Sequence, residues 1–121
     1  MGVSELVLRD RRSLRSGVAL AVLALDLERG ELLVPPQIVA RGVGDERNFP
    51  SLWARASDAV REAIELAPMK VRRDPAAVRE TASRALKRFL SRTIDRRPIS
   101  LAVVVELRME GQPEDLVSSD R

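Results

Sequence analysis

The chain's most apolar segment is Gly17 to Leu27, where nearly every position from Val18 to Leu25 is apolar. A run of this length with glycines at its flanks predicts a buried strand, although leucine, alanine and valine would also suit a buried helix. The segment Asp26 to Gly30 favours the strand, because it leads at once into three further apolar residues. This is the pattern of a hairpin whose glycine has a positive φ.

The second predicted strand runs from Glu31 to Arg41 and contains Pro35-Pro36. Two consecutive prolines remove two hydrogen-bond donors from a strand, so we expect an edge strand with a bulge or break at this point. Gly42-Val43-Gly44 then ends the strand in a loop.

Two helices follow, each with an apolar stripe at helical spacing. The first is predicted over Ser51 to Ala67 and is ended by Pro68. The second begins with Asp74 as N-cap and Pro75 in the first helical position. The first stripe is Leu52, Ala56, Ala59, Val60, Ala63 and Ile64, and the second is Val78, Ala82, Ala85, Leu86, Phe89 and Leu90.

A last strand is predicted from Ile99 to Leu107, after Pro98. The order β-β-α-α-β makes the last strand parallel to the first, with a right-handed two-helix crossover between them. Since the proline-containing strand belongs at an edge, the last strand pairs with the first on the other side. The predicted fold is an α/β two-layer sandwich, a three-stranded mixed sheet of order 2-1-3 with both helices on one face.

This arrangement leaves one face of the sheet without a covering layer. We expect the larger residues of the last strand, from Ile99 through every second position to Leu107, to lie beneath the helices. The opposite face would then be small but partly apolar, which is typical of a surface that meets a partner. The candidate partner face is Ala19, Ala21, Ala102 and Val104.

The composition is that of one small globular domain, with 45% apolar and 32% charged residues in 121. We expect a lead-in over residues 1–16, the domain over 17–110 and a flexible tail over 111–121. The chain has neither His nor Cys, which removes disulfides, thiolate metal sites and the commonest general base. No catalytic or metal-binding residue is assigned, no cofactor is expected in this chain, and we do not expect an enzyme in its own right.

Positive charge is concentrated between Lys70 and Arg97, a segment that contains ten basic residues and only three acidic ones. Part of it forms a ridge at helical spacing on the second helix. Such a ridge suits contact with phosphate, although it is equally typical of a solvated helix face. The arginines after the helix also suit a structural role at its last carbonyls. The candidate RNA or phosphate contacts are Arg84, Lys87, Arg88, Arg92, Arg96 and Arg97.

The order of several short motifs resembles the C-terminal domain of the bacterial ribonuclease J family. The similar segments are VLRDRRSLRSGVALAVLALD, PPQIVARGV and RFLSRTIDRRPISLAVVVEL, and together they span about Val7 to Leu107. The loop after Gly42 departs from the family, which usually has an aromatic-bearing segment there. The positions matching the family's structural motif are Gly17, Pro36, Ile38, Arg41, Gly42 and Pro98.

The resemblance implies a β-β-α-α-β domain that follows a metallo-β-lactamase and β-CASP catalytic core in a cytoplasmic RNA-processing enzyme. It implies a role in dimer formation or in support of that core. The family's two-zinc site lies in the core, so no catalytic residue carries over. The expected partners are a second copy or the catalytic core, with RNA as the alternative, and neither a membrane nor a small-molecule ligand. Whether the chain is an excised domain, a truncated product or a stand-alone relative stays open.

Overall fold

The computed structural model describes residues 17–43, 50–94 and 97–107 of the chain. These residues form one sheet and three helices. The strands are β1 (Val18–Asp26), β2 (Glu31–Leu32), β3 (Gln37–Arg41) and β4 (Ile99–Leu107). The helices are α1 (Pro50–Glu65), α2 (Met69–Arg72) and α3 (Pro75–Thr93).

β1 lies in the centre of the sheet. β2 and β3 both pair antiparallel with it along the same side, with Leu25 opposite Leu32 and Leu20 opposite Val39. β4 pairs parallel with β1 on the other side along its whole length. The sheet is therefore mixed and three strands wide, in the predicted order, and the prolines divide the second strand into β2 and β3 as expected.

The β1–β2 turn is held by a buried carboxylate. Asp26 is only 2% exposed, and its Oδ1 accepts hydrogen bonds from the backbone N–H groups of Glu28 at 3.0 Å and Arg29 at 3.3 Å. Gly30 closes the turn with φ +65°, and a Cβ there would lie 2.8 Å from Sδ of Met69. The turn therefore needs a glycine both for its backbone angle and for its close packing on α2.

The helices begin where the sequence indicates. Asp74 caps α3, and its Oδ1 accepts from the backbone N–H of Ala76 at 3.1 Å, with Pro75 next in the chain. The sequence did not predict α2, a single turn after Pro68 in which the N–H groups of Val71 and Arg72 donate to the Pro68 carbonyl. α2 fills the connection between the two long helices.

The core lies between the helices and one face of the sheet. Both predicted helical stripes enter it, except that Ala59, Ala63 and Phe89 are only half-buried. From the sheet it receives Ala19, Ala21, Leu23 and Leu25, all 0% exposed, and Ala102 at 8%. The core is aliphatic and rich in alanine where the helices cross the strands.

The prediction of which sheet face the helices cover is wrong. Ala19, Ala21 and Ala102 are buried and Val104 packs against the same core, so this set lies beneath the helices. The larger residues of β4 lie on the uncovered face instead. The helix-covered face combines these alanines with Leu23 and Leu25 of β1, so residue size alone does not distinguish the two faces.

Candidate docking surface

The uncovered face of the sheet is built by alternation along its three strands. In β1, buried residues alternate with half-buried ones. Each residue of β4 lies on the same face as its partner in β1, so the buried Ala102 is beside the buried Ala21 and the exposed Val103 is beside the half-buried Val22. Register places Leu20 beside both Val39 and Leu101, and Val22 beside Val103. We call this surface the open face; its apolar residues are Val18, Leu20, Val22, Ala24, Val39, Ile99, Leu101, Val103 and Val105.

Several large side chains on the open face are strongly exposed. Leu101, Val103 and Val105 of β4 are 45%, 46% and 45% exposed. On the same face, Val39 of β3, the strand on the other side of β1, is 37% exposed. Leu101, Val103 and Val105 are alternate residues of β4, and the half-buried Leu20 of β1 lies between Leu101 and Val39, so the apolar surface is contiguous rather than scattered. Contiguous apolar patches of this kind mark surfaces that meet another macromolecule.

Sequence reasoning recognised an uncovered apolar face but assigned the wrong residues to it. Both phases of β1 and of β4 are largely apolar, so alternation does not show which phase faces the helices. Residue size does not separate the two faces of β1 either, because the helix-covered residues include Leu23 and Leu25 as well as two alanines, while Ala24 lies on the open face. The packing of the helices, seen only in the tertiary structure, decides which face is covered.

The two edges of the sheet differ. On one edge, Pro35 and Pro36 lie between β2 and β3 and interrupt the row of backbone donors. On the other edge β4 runs for nine residues without proline or glycine and with Glu106 as its one charge. β1 is the one strand that pairs with β4 among the described residues. One edge is thus interrupted and the other is continuous.

The basic ridge lies on the solvent side of α3. Arg84, Lys87, Arg88 and Arg92 are all exposed, and Arg84 pairs with Glu80 at 3.5 Å between Nη2 and Oε2. Arg97 is exposed, whereas Arg96 lies outside the described residues. The structure therefore gathers four of the six predicted phosphate contacts on one helix.

The aromatic ring nearest to this ridge in the sequence is engaged elsewhere. Phe89 is half-buried, and the guanidinium of Arg55 lies 5.6 Å from the centre of its ring. A ring face that carries an arginine does not offer a free platform for a nucleic-acid base. The ridge can attract a phosphate backbone by charge, and its chemistry is independent of base sequence.

The family-motif positions form part of the scaffold. Gly17 directly precedes β1 and Gly42 directly follows β3. A Cβ on Gly17 would lie 2.5 Å from the Gly42 carbonyl carbon. Pro36 is buried, and its carbonyl accepts a hydrogen bond from the Ser57 hydroxyl of α1. The remaining positions are Ile38, half-buried against the core, Arg41, exposed, and Pro98, buried before β4.

Within the described part of the chain, no group of three or more Asp or Glu side chains is arranged to hold a metal ion. The chain has no His or Cys to complete one. None of the helices in the described ranges is long and apolar enough to cross a membrane.

Comparison with known proteins shows the family. The family model described as the ribonuclease J C-terminal domain matches residues 6–107 of this chain. The chain belongs to the ribonuclease J C-terminal domain family. This match covers the whole described sheet and all three helices, so the fold and the family agree.

Curated relatives extend far beyond this domain. Ribonuclease J2 of Bacillus subtilis is 27% identical over 106 residues, and Ribonuclease J 2 of Staphylococcus saprophyticus is 29% identical over 106 residues. In both cases the match covers 87% of this chain. The chain spans 19% of the length of these relatives.

Proposed function

We propose that this chain is the non-catalytic C-terminal domain of a ribonuclease J-type RNA-processing enzyme of the cytoplasm. Its role is oligomerisation or docking to the catalytic core. The observation that carries the proposal is the open face, where exposed leucine and valines of β3 and β4 are joined through half-buried apolar residues of β1. Family membership supports the choice of partner, because four-fifths of each relative lies outside the matched domain.

The described residues of this chain do not provide the ligands of a zinc site such as the one that ribonucleases of this family are expected to use. Zinc sites need imidazole, thiolate or clustered carboxylate ligands, and no such cluster lies in the described residues. The proposal therefore assigns zinc and hydrolysis to the catalytic core and assigns contact to this domain.

The test measures binding to a ribonuclease J metallo-β-lactamase and β-CASP core produced without its own C-terminal domain, together with sedimentation at several concentrations. Val39→Lys places a charge on the open face, and Leu66→Lys places the same charge on a residue that is 80% exposed at the end of α1. We expect the Val39 variant to weaken association by roughly tenfold or more and the Leu66 variant to leave it unchanged. A wild-type chain that is monomeric at every concentration and does not bind the core would overturn the proposal.

A second candidate function is sequence-independent RNA binding through the ridge on α3. It is supported by the shared exposure of Arg84, Lys87, Arg88 and Arg92 on one side of the helix. Reversing Lys87 and Arg88 to Glu should abolish RNA binding at low salt, while reversing Arg29 and Arg61, two exposed arginines outside the ridge, should have a much smaller effect. Binding should fall steeply with salt, since each phosphate contact releases counterions. Absence of binding at low salt would reject this function.

A further inference from the structure

Within residues 17–43, 50–94 and 97–107, β4 pairs with β1 on one side and with no strand on the other, so the backbone groups along its outer edge can be identified. The N–H of Ile99 donates to the Gly17 carbonyl at 2.9 Å, and the Leu107 carbonyl accepts from Leu27 at 3.1 Å, so the odd-numbered residues of β4 direct their backbone groups toward β1. Alternate residues of a strand point these groups to opposite sides. The outward-facing residues are therefore Ser100, Ala102, Val104 and Glu106.

Among the described residues, this edge has no proline, bulge or lysine, and Glu106 is its one charged side chain. Natural edges are interrupted by proline, bulges or lysine, and the β2–β3 edge of this sheet has Pro35-Pro36. β4 has none of these over its nine residues. An open groove also flanks the strand, bounded by Ala77 and Ser83 of α3 and by Leu101 and Ala102 of β4. The groove provides space between α3 and β4 beside this strand.

We propose that β4 pairs antiparallel with β4 of a second copy of this chain, about a two-fold axis at Val103. This deepens the proposed assembly role and rests on it, and it adds a second contact surface, distinct from the open face. In this register the outward-facing residues meet one another, Ser100 opposite Glu106 and Ala102 opposite Val104, so every one of them both donates and accepts a hydrogen bond. The two sheets then join into a continuous one.

The side chains of β4 suit this register. Across the two-fold axis, Leu101 lies opposite Val105, Ile99 opposite Leu107, and Val103 opposite its own copy, so the open face of one chain continues into that of the other. The single carboxylate, Glu106, lies opposite the Ser100 hydroxyl rather than another carboxylate. Like charges directly opposite destabilise paired strands, and this register avoids them. It also pairs all nine residues, which a shift by two positions does not.

A second copy is favoured over an unrelated strand because β4 is complementary to itself. Polar residues are second from each end of the strand, and every position between them is apolar. Reversal of the strand therefore reproduces its pattern. The aliphatic groups on the open face and the two polar ends both find matching partners in the same sequence.

Cysteine crosslinking tests the axis directly, since the chain has no cysteine of its own. Val103→Cys places two thiols across a non-hydrogen-bonded pair, with about 4.5 Å between Cα atoms, within the range for a disulfide. Val105→Cys is the matched control: it has the same exposure and lies on the same face. Its two copies would lie about 14 Å apart along the strands. Under mild oxidation we expect the Val103 variant to form dimers at least roughly tenfold faster than the Val105 variant.

Charge substitutions test the register at Ser100 and Glu106, which alternate with the open-face residues of β4. In the dimer, residue 100 of each copy lies opposite Glu106 of the other copy. Ser100→Lys should therefore increase the dimerisation affinity, whereas Ser100→Glu should decrease it by roughly tenfold. Adding Glu106→Lys to Ser100→Glu should restore the wild-type affinity. Thermal unfolding of each variant, followed by circular dichroism, checks that the fold is retained.

The outcomes separate this inference from the proposed function. Equal crosslinking of the two cysteine variants, or crosslinking of neither, would overturn pairing at Val103. If the core still binds in that case and Val39→Lys still weakens the binding, the assembly role stands without the strand pairing. If crosslinking is selective but no core binds, self-association through the edge stands and docking through the open face does not.

Discussion

Single residues set the ends of the strands, and Gly17 is the clearest example. It precedes β1 with φ +96°, opposite Gly42, and the backbone of Gly42 lies where a side chain on Gly17 would be. Gly42 also has a positive φ, of +71°, but a Cβ there would meet its nearest atom only at 3.5 Å, an ordinary contact. The two glycines thus share a backbone requirement and differ in the space around them.

Gly17→Ala should therefore destabilise the domain much more than Gly42→Ala. We expect about 1 kcal/mol from the backbone conformation in each variant, and at Gly17 a further cost of about 1–3 kcal/mol from the displaced β3 end. Urea unfolding of both variants measures the difference. Similar losses in the two variants would contradict the close approach at Gly17.

Asp74 is a second residue whose effect is local. Its side chain accepts from the N–H groups of Ala76 at 3.1 Å and Ala77 at 3.5 Å at the start of α3. Asp74→Ala should cost about 1 kcal/mol of unfolding free energy, while Asp74→Asn retains the acceptor and should cost only a few tenths. Equal effects of the two substitutions in urea unfolding would show that charge, not the cap hydrogen bond, stabilises the helix.

At the scale of elements, the phase of β1 decides what faces the helices and what faces outward. Ala21 is fully buried beneath them, whereas Ala24 is half-buried on the open face. The two alanines are three residues apart on one strand, so they differ mainly in which layer covers them.

Substituting each of these alanines by leucine tests the assignment of faces. Ala21→Leu forces extra atoms between the sheet and the helices and should destabilise the domain by about 1–3 kcal/mol. Ala24→Leu extends into an uncovered surface and should change stability by less than about 0.5 kcal/mol. A larger loss of stability in Ala24→Leu than in Ala21→Leu, measured by thermal or urea unfolding, would contradict this assignment of the covered face.

The sequence predicted the elements better than their packing. Asp74-Pro75, Pro35-Pro36 and Gly30 are local signals whose effects do not depend on distant residues, and the structure confirms all three. α2 was missed because one turn after a proline has no periodicity to reveal it. The boundaries predicted for the lead-in and tail concern residues outside the described ranges and stay predictions.

At the scale of the whole molecule, a two-layer sandwich this small covers only one face of its sheet. The open face is left with side chains that another molecule can bury. Association that buries it stabilises the folded state by mass action, so the unfolding temperature should depend on protein concentration.

We expect the thermal midpoint of the isolated chain to rise as its concentration is increased over two orders of magnitude. Ser100→Glu, which opposes the edge pairing, should reduce that dependence, and Leu66→Lys should leave it intact. Differential scanning calorimetry at matched scan rates measures all three proteins. A midpoint independent of concentration in the wild-type chain would argue against self-association.

The sequence by itself determined the order of the elements, the strand order of the sheet, the proline-interrupted edge and the family, since each depends on local chemistry or on the order of motifs along the chain. Only the tertiary structure decided which side of the sheet the helices cover, and with it the residues available to a partner. The physical reason is that β1 and β4 are apolar in both phases. Burial was therefore possible on either face, and only the packing of the helices in the tertiary structure determines which residues of β1 and β4 are covered.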